Sequence, residues 1–585
     1  MATRVIFLIW LLGAGVSAVA QQAADYVFNN GRVYTVDPSA PWAQAVAVKG
    51  DSIVFVGSNK SAQKYIGPQT RVGDLAGGML MPGLVETHLH VMLGAVATSG
   101  VWLAGITSVE ELQAKIREYA AAHPDLEMIF GWGYGNTLFG PQGPSKELLD
   151  AAVGDRPAFI VREDGHSAWA NSKALETAGI NRDTPDPSPP AGVFGRDAEG
   201  NPTGAINGGP ANLWTAKRLP GLVNDESLRA AAEPLFEHIS ELGITSLFDA
   251  GTPLATEASF DFLVNYDEAK GLPVRYTGSH YINDAGDAAG AIAELKRLSA
   301  TYKSPKFRIN TLKITTDGVV ENRKAAMLSP YDDVDSNGAL NFEPQVINDL
   351  AVDAARNGYS VYMHTLGDRA VRAGLDAAES VRKAGFPDTI VTLSHCQLVD
   401  ADDFPRFAKA NVFINSTGGW MQPYAGEEAV LGERADETFP YRDMLDDGVI
   451  FVNSSDFPAT PIIDPFSHLE ISITRRALGA PVSAKAKNPD SALTVEQGIA
   501  AYTINGARML ELDEEIGTIA VGKRADLIVL DRNIVEIPHN KIHETQVMMT
   551  MMDGKMQHDF LFDWGDSVDA PDVEFATGFG GIHQH

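Results

Sequence analysis

A single cysteine, Cys396, in 585 residues means that no intramolecular disulfide holds this chain together, so its stability must come from packing. Positive charge is also short. The 46 Lys and Arg face 76 Asp and Glu, for a formal net charge of −30, which repels a nucleic-acid backbone or an anionic membrane surface. The apolar run at residues 5–16 falls short of the ~20 residues a spanning helix needs, and no basic stop-transfer cluster follows it. With 44% hydrophobic and 21% charged residues, disorder is excluded and an ordinary globular protein is indicated.

What is present at the N-terminus has the pattern expected of a leader. Arg4 supplies a positive n-region, residues 5–16 an apolar h-region, and Ala18-Val19-Ala20 an A-x-A site before Gln21. Residues 1–20 are therefore expected to be a signal peptide, with the mature protein exported to the periplasm or secreted. No cysteine lies near the cleavage site, which argues against a lipidated N-terminus.

Residues 21–80 and 515–585 share a texture of short β-like segments broken by turns such as Asn29-Asn30-Gly31 and Lys49-Gly50-Asp51. Two such ends predict one composite β-sandwich domain. Residues 81–514 instead alternate strand-like and helix-like segments. Candidate strands at 81–88, 244–249, 274–280, 309–315, 359–364, 390–395, 412–415 and 449–453 number eight, as a (β/α)8 barrel of the α/β class requires. Helices fit between them, for example at 344–357 and 367–384. Residues 95–228 break the rhythm and are too long for a loop, so they are expected to form a capping insertion after the first barrel strand. The run Met548-Met549-Thr550-Met551-Met552 reads as strand and core rather than a copper site. His583 and His585 close a glycine-rich tail and carry no expected role.

The chemistry begins where Met81-Pro82-Gly83-Leu84-Val85-Glu86-Thr87 closes on His88-Leu89-His90. Period-two alternation sends both imidazoles to one side, which makes half of a divalent metal site. Lys313, His364, His395 and Asp456 stand at or just past the ends of later candidate strands. Singly, each has a structural reading: a strand-end histidine bonds a carbonyl, a lysine snorkels, an aspartate before Phe457-Pro458 caps a turn. In a closed parallel barrel, however, those ends converge on one mouth. Cys396 follows His395 and alternation points it away from that side, as a buried thiol rather than a nucleophile.

These residues resemble the amidohydrolase superfamily, and within it the YtcJ-like branch (amidohydrolase family 3), which includes an N-substituted formamide deformylase. The resemblance rests on Pro82 to His90, Asp164-Gly165-His166-Ser167-Ala168-Trp169 with Ala170 to Leu175, Gly243-Ile244-Thr245-Ser246, Lys313 with Asp317-Gly318, His364-Thr365-Leu366-Gly367-Asp368-Arg369, Ser394-His395-Cys396-Gln397, Ser455-Asp456-Phe457-Pro458 and residues 517–530. It spans nearly the whole mature chain. Gly133 stands where the branch often has an acidic residue, and Phe248-Asp249 where His-Asp is common; neither position is a metal ligand.

The resemblance implies a barrel with one or two divalent ions, usually zinc. His88 and His90 would bind the more buried ion and His364 and His395 the more exposed one, with Lys313 bridging as an Nζ-carboxylated lysine. Asp456 would touch the buried metal and the reactive water, acting as the catalytic proton shuttle in metal-activated hydrolysis. The expected substrate is a small-molecule amide, N-acyl, N-formyl or related. A lactone, ester or cyclic amide hydrolase on the same centre is the alternative, and a non-catalytic metal-binding or regulatory protein that keeps the fold is the third reading. His166 would either donate to the substrate carbonyl or tie the cap to the barrel, and Trp132 and Tyr134 would line an apolar pocket. No nucleic-acid partner and no membrane span after signal removal are expected, and self-association into a homo-oligomer stays open.

Overall fold

The computed structural model describes residues 23–562 apart from 136–137, 141–142, 164, 190–191, 220–224 and 253–255. The expected signal peptide and the histidine-bearing tail lie outside the described residues. Eight strands form one all-parallel sheet in sequence order: β1 Leu84–Leu89, β2 Ile244–Asp249, β3 Arg275–Ile282, β4 Phe307–Thr315, β5 Ser360–Thr365, β6 Val391–His395, β7 Phe413–Thr417 and β8 Phe451–Ser454. The last strand meets the first. Thr87 Oγ1 donates to the Asn453 carbonyl at 2.8 Å, and beyond the strands Asp456 N donates to His88 O and His90 N to Phe457 O, both at 2.8 Å.

The stretch 81–88 is not one strand, as the sequence had suggested. Met79–Pro82 belongs to a different sheet, and the barrel begins at Leu84. Gly83 sits at the handover, where a Cβ would stand 2.4 Å from Thr245 Oγ1. Only glycine lets the chain pass β2 this closely.

Period two sorts the barrel side chains. Val85, Phe248, Tyr362, Phe413 and Val452 form one buried cluster, while their chain neighbours Leu84, Leu247, Met363, Ile414 and Phe451 join the larger core against the helices, as alternation on a strand requires. Helix Pro344–Arg356 buries Ile347, Leu350, Ala351, Ala354 and Ala355, the i, i+3, i+4, i+7 stripe of an amphipathic helix packed on a sheet.

Strands from both ends of the chain share a six-stranded sheet, in which Leu527–Leu530 pairs antiparallel with Met79–Pro82. A four-stranded sheet from residues 26–74 faces it across a core that includes Phe28, Val46, Leu80, Leu527, Met549 and Met551. The methionine run is thus strand and core: it lies in Val547–Met552. Arg275, at the start of β3, fastens the barrel to this unit through Asp526, at 3.2 Å by one of its two contacts, and through Asp553. Asp526 is buried. Arg275→Met strands that carboxylate without its cation and is expected to lower stability by about 3 kcal/mol, measured by denaturant unfolding; a loss below about 1 kcal/mol would mean the pair is not structural.

Residues 101–207 build a fourth sheet, of six strands, which with flanking helices encloses its own core of Leu112, Ile116, Leu149, Ile160 and Trp169. Among the described residues no helix is long and apolar enough to cross a membrane.

Candidate metal centre

His88, His90 and Asp456 each place a donor atom within 4.8 Å of the others. Asp456 Oδ1 lies 3.5 Å from His88 Nε2 and 3.5 Å from His90 Nε2, too far for hydrogen bonds. The outer ring nitrogens explain why. His90 Nδ1 meets the Gly251 carbonyl at 2.6 Å, an acceptor only, so Nδ1 carries the proton and Nε2 turns a lone pair inward. His88 Nδ1 faces Asn415 Oδ1 at 3.3 Å and the Tyr362 hydroxyl at 2.9 Å; Asn415 Nδ2 donates to Thr87 Oγ1, which fixes the amide with its oxygen toward the histidine. Two imidazole lone pairs and a carboxylate thus point at one place with no proton between them, an arrangement that fits a divalent cation.

The remaining expected ligands gather beside this cluster. The ring centroids of His395 lie 4.9 Å from His88 and 4.7 Å from His364, and Trp420 stacks on His395 at 5.0 Å. His364 Nδ1 bonds Asp317 Oδ1 at 3.2 Å, again leaving Nε2 as an acceptor. Asp317 also accepts from the amides of Ala326, Leu366 and Gly367; burial pushes its carboxyl up to about 7 against their pull. Burial lowers His88 and His395 well below the ordinary imidazole value and His364 to about 3, so these rings stay neutral, the form that ligates metal.

Lys313 pairs in register with Tyr362, two residues short of the end of β4, whereas Thr315 pairs with His364. Its side chain therefore starts one layer deeper in the barrel. Nζ is buried, has no hydrogen-bond partner and lies 4.5 Å from the Tyr362 ring centroid. Burial lowers its pKa to about 7, with the charge of Asp456 opposing. His395 Nδ1 is likewise buried without a partner.

The backbone is under tension here. His395 has φ 74° and Asp456 φ 56°, left-handed conformations that cost a non-glycine residue on the order of 1 kcal/mol or more and persist only where the surroundings impose them. Cys396 shares this turn at φ 40°, just past the end of β6, so strand alternation does not set its direction. It packs in the main core, and burial pushes its thiol up to about 12, as befits an inert cysteine.

Four supporting groups were not singled out as site residues from the sequence. Tyr362 precedes His364 by two on one strand, Asn415 stands in the middle of β7, Asp317 follows Lys313 by four, and Glu86 precedes His88 by two. Glu86 accepts from His88 N at 3.0 Å and Ser455 N at 3.1 Å, joining two ligand segments where the barrel closes. Their positions relative to the ligands were the available signal. Asp317→Asn is expected to weaken metal affinity about 10- to 100-fold by loosening His364, read by competition with a chelator; unchanged affinity would contradict the orienting role.

All six expected ligands line one cavity of about 600 Å3. His166 and Trp132 reach it from the inserted sheet and its loops, with the His166 and His364 ring centroids 5.9 Å apart. Tyr134 is not on the cavity wall. The register shift between Trp132 and Tyr134, at Gly133 with φ 103°, turns it into the insertion's core against Phe139 and Trp169.

A sequence model of the amidohydrolase family matches residues 71–558. The exoenzymes regulatory protein AepA of Pectobacterium carotovorum is 30% identical over 417 residues, 69% of this chain and 87% of that one. N-substituted formamide deformylase of Arthrobacter pascens is 28% identical over 557 residues, 92% of this chain and 99% of that one. The crystal structure of an uncharacterized metal-dependent hydrolase from Pyrococcus horikoshii OT3 shares the fold, with a TM-score of 0.71 at 22% identity, over 88% of this chain and 99% of that one. The match covers the barrel, the inserted sheet and strands of the composite unit, and the chain belongs to the amidohydrolase family of metal-dependent hydrolases.

Proposed function

We propose that the protein hydrolyses the C–N bond of a small N-formyl or N-acyl amide at the barrel mouth. The observation that carries this reading is the convergence of His88, His90 and Asp456 on the wall of a cavity large enough for such a molecule. A divalent metal, with zinc the first candidate, supplies Lewis acidity toward the substrate carbonyl and lowers the pKa of water. His88, His90 and Asp456 would hold one ion. His364 and His395 would hold a second, with Lys313 between the pairs. Carboxylation of Lys313 Nζ would replace a buried, unpartnered amine with two anionic oxygens.

Asp456 accepts a proton from the attacking water on a carboxylate oxygen and returns it to the departing nitrogen, so the amine leaves neutral. His166 donates to the carbonyl oxygen as negative charge develops there. Trp132 and Trp420 present apolar faces that exclude water and pack the substituent on nitrogen. Similarity to a formamide deformylase along most of the chain supports a formyl or other small acyl group.

Amine release from N-formyl-2-phenylethylamine tests the reading. Turnover that chelation abolishes and added zinc or another divalent metal restores is expected. Cleavage of esters or lactones alone, with every amide untouched, would reassign the substrate class. Export is part of the same proposal: mature protein from the periplasm or medium should begin at Gln21, and a retained Met1 would contradict it.

A further inference from the structure

Of the four histidines at the barrel mouth, His88, His90 and His364 each tie Nδ1 to a hydrogen-bond partner. His395 does not: its Nδ1 is buried without one. Its main chain is held, since the Tyr441 hydroxyl donates to the His395 carbonyl at 2.5 Å, but that bond leaves the ring free to turn. Beyond the rings of His88 and His364, the aromatic group against it is Trp420, stacked at 5.0 Å with the planes 25° apart.

Trp420 in turn depends on His468. It closes the short turn Gly418–Trp420 that follows β7, and Gly419 N donates to His468 Nδ1 at 2.8 Å. The approach is close: a Cβ on Gly418 would stand 2.5 Å from His468 O, and one on Gly419 3.1 Å from His468 Cε1. His468 Nε2 meets the Ile462 carbonyl at 2.8 Å, in the segment that follows Asp456. A carbonyl only accepts and an amide only donates, so the ring is the neutral tautomer with its proton on Nε2. His468 is buried on helix Pro465–Thr474, whose first turn Asp464 caps by accepting from Phe466 N and Ser467 N at 3.0 Å. One imidazole on a capped helix thus pins two parts of the cavity wall, Gly419 with Trp420 and Ile462.

We infer that His468 is a positioning residue for the metal centre. Through the Gly419 amide it fixes Trp420, and the Trp420 ring gives His395 the orientation that a hydrogen bond gives the other three histidines. The inference rests on the reading of His395 as a metal ligand. Its consequence is that the two bonds of His468 are unequal, because only the one to Gly419 leads to the metal.

Asn and Gln separate those bonds. Asn Oδ1 can take the place of His Nδ1 and accept from Gly419, whereas Gln Nε2 can take the place of His Nε2 and donate to Ile462. Affinity for the most weakly held ion is measured by chelator competition on zinc-loaded protein, with folding checked by denaturant unfolding and amide turnover followed in parallel. His468→Gln is expected to weaken that ion about 10-fold and His468→Asn far less. In a Trp420→Leu background, itself weakened about 10-fold, His468→Gln should add nothing further, as two residues acting in series require. Trp420→Leu alone leaves both His468 bonds in place and serves if His468→Gln does not fold. Equal losses in the Asn and Gln variants would reduce His468 to core packing. Unchanged affinity in His468→Gln or Trp420→Leu, or a further loss when they are combined, likewise overturns the inference. Wild-type protein that binds no zinc overturns both the inference and the metal-centre reading. A single wild-type ion that responds in the expected pattern removes the second ion and keeps the role of His468. If the pattern holds but no amide is cleaved, amide hydrolysis is refuted while the positioning role stands.

Discussion

Asp456→Asn is expected to lower kcat/KM by about 10³-fold or more, mostly through kcat, with the unfolding midpoint close to wild type. The carboxamide keeps the shape of the side chain, and the backbone bond from Asp456 N to His88 O at 2.8 Å is untouched, so the left-handed turn survives. What the variant loses is an oxygen able to take a proton from water and give it to nitrogen. It also loses a negative charge 3.5 Å from both His88 Nε2 and His90 Nε2. Metal content must be measured beside the kinetics, because a drop in kcat at full metal loading assigns the loss to proton transfer. Activity within tenfold of wild type at full loading would remove Asp456 from the mechanism. If biological activity persisted with hydrolysis gone, the protein would instead be a metal-binding regulator on a hydrolase fold.

Lys313→Ala should cost a comparable amount by a different route. Nζ is buried with no hydrogen-bond partner, in a layer below His364, so no neighbour can substitute for it. Removing it should lower metal content toward one ion per chain and activity on the order of 10²–10³-fold, which corresponds to losing several kcal/mol of transition-state stabilisation. Short carboxylates such as formate or acetate should restore part of both, since they can occupy the vacated space and offer anionic oxygens. Wild-type metal content in the variant would refute a bridging role. Failure of rescue at full occupancy of the first ion would argue against the carbamate.

The barrel was legible because alternation and strand-end polarity are local properties. Lys313, His364 and His395 each end or nearly end a strand found within two residues of its expected bounds. The handover at Gly83 was not legible, since the residues on either side are equally apolar and only the approach of Thr245 separates one sheet from the next. Tyr134 was misplaced for a related reason: a one-residue irregularity at Gly133 sends it to the opposite side from the cavity, and period two cannot foresee a bulge. The orienting residues Asp317 and Asn415 escaped notice because their value lies in what they touch across the barrel, at sequence separations of 47 and 327 from the histidines they serve.

Metal analysis of the purified wild-type protein, with amine release followed in the same preparation, bears most directly on the proposed function. One or two divalent ions per chain are expected, with hydrolysis lost on chelation and recovered in proportion to metal restored. Protein that stays folded and active after chelation, or that takes up no stoichiometric metal on reconstitution, would contradict the assignment of His88, His90 and Asp456 as a metal centre.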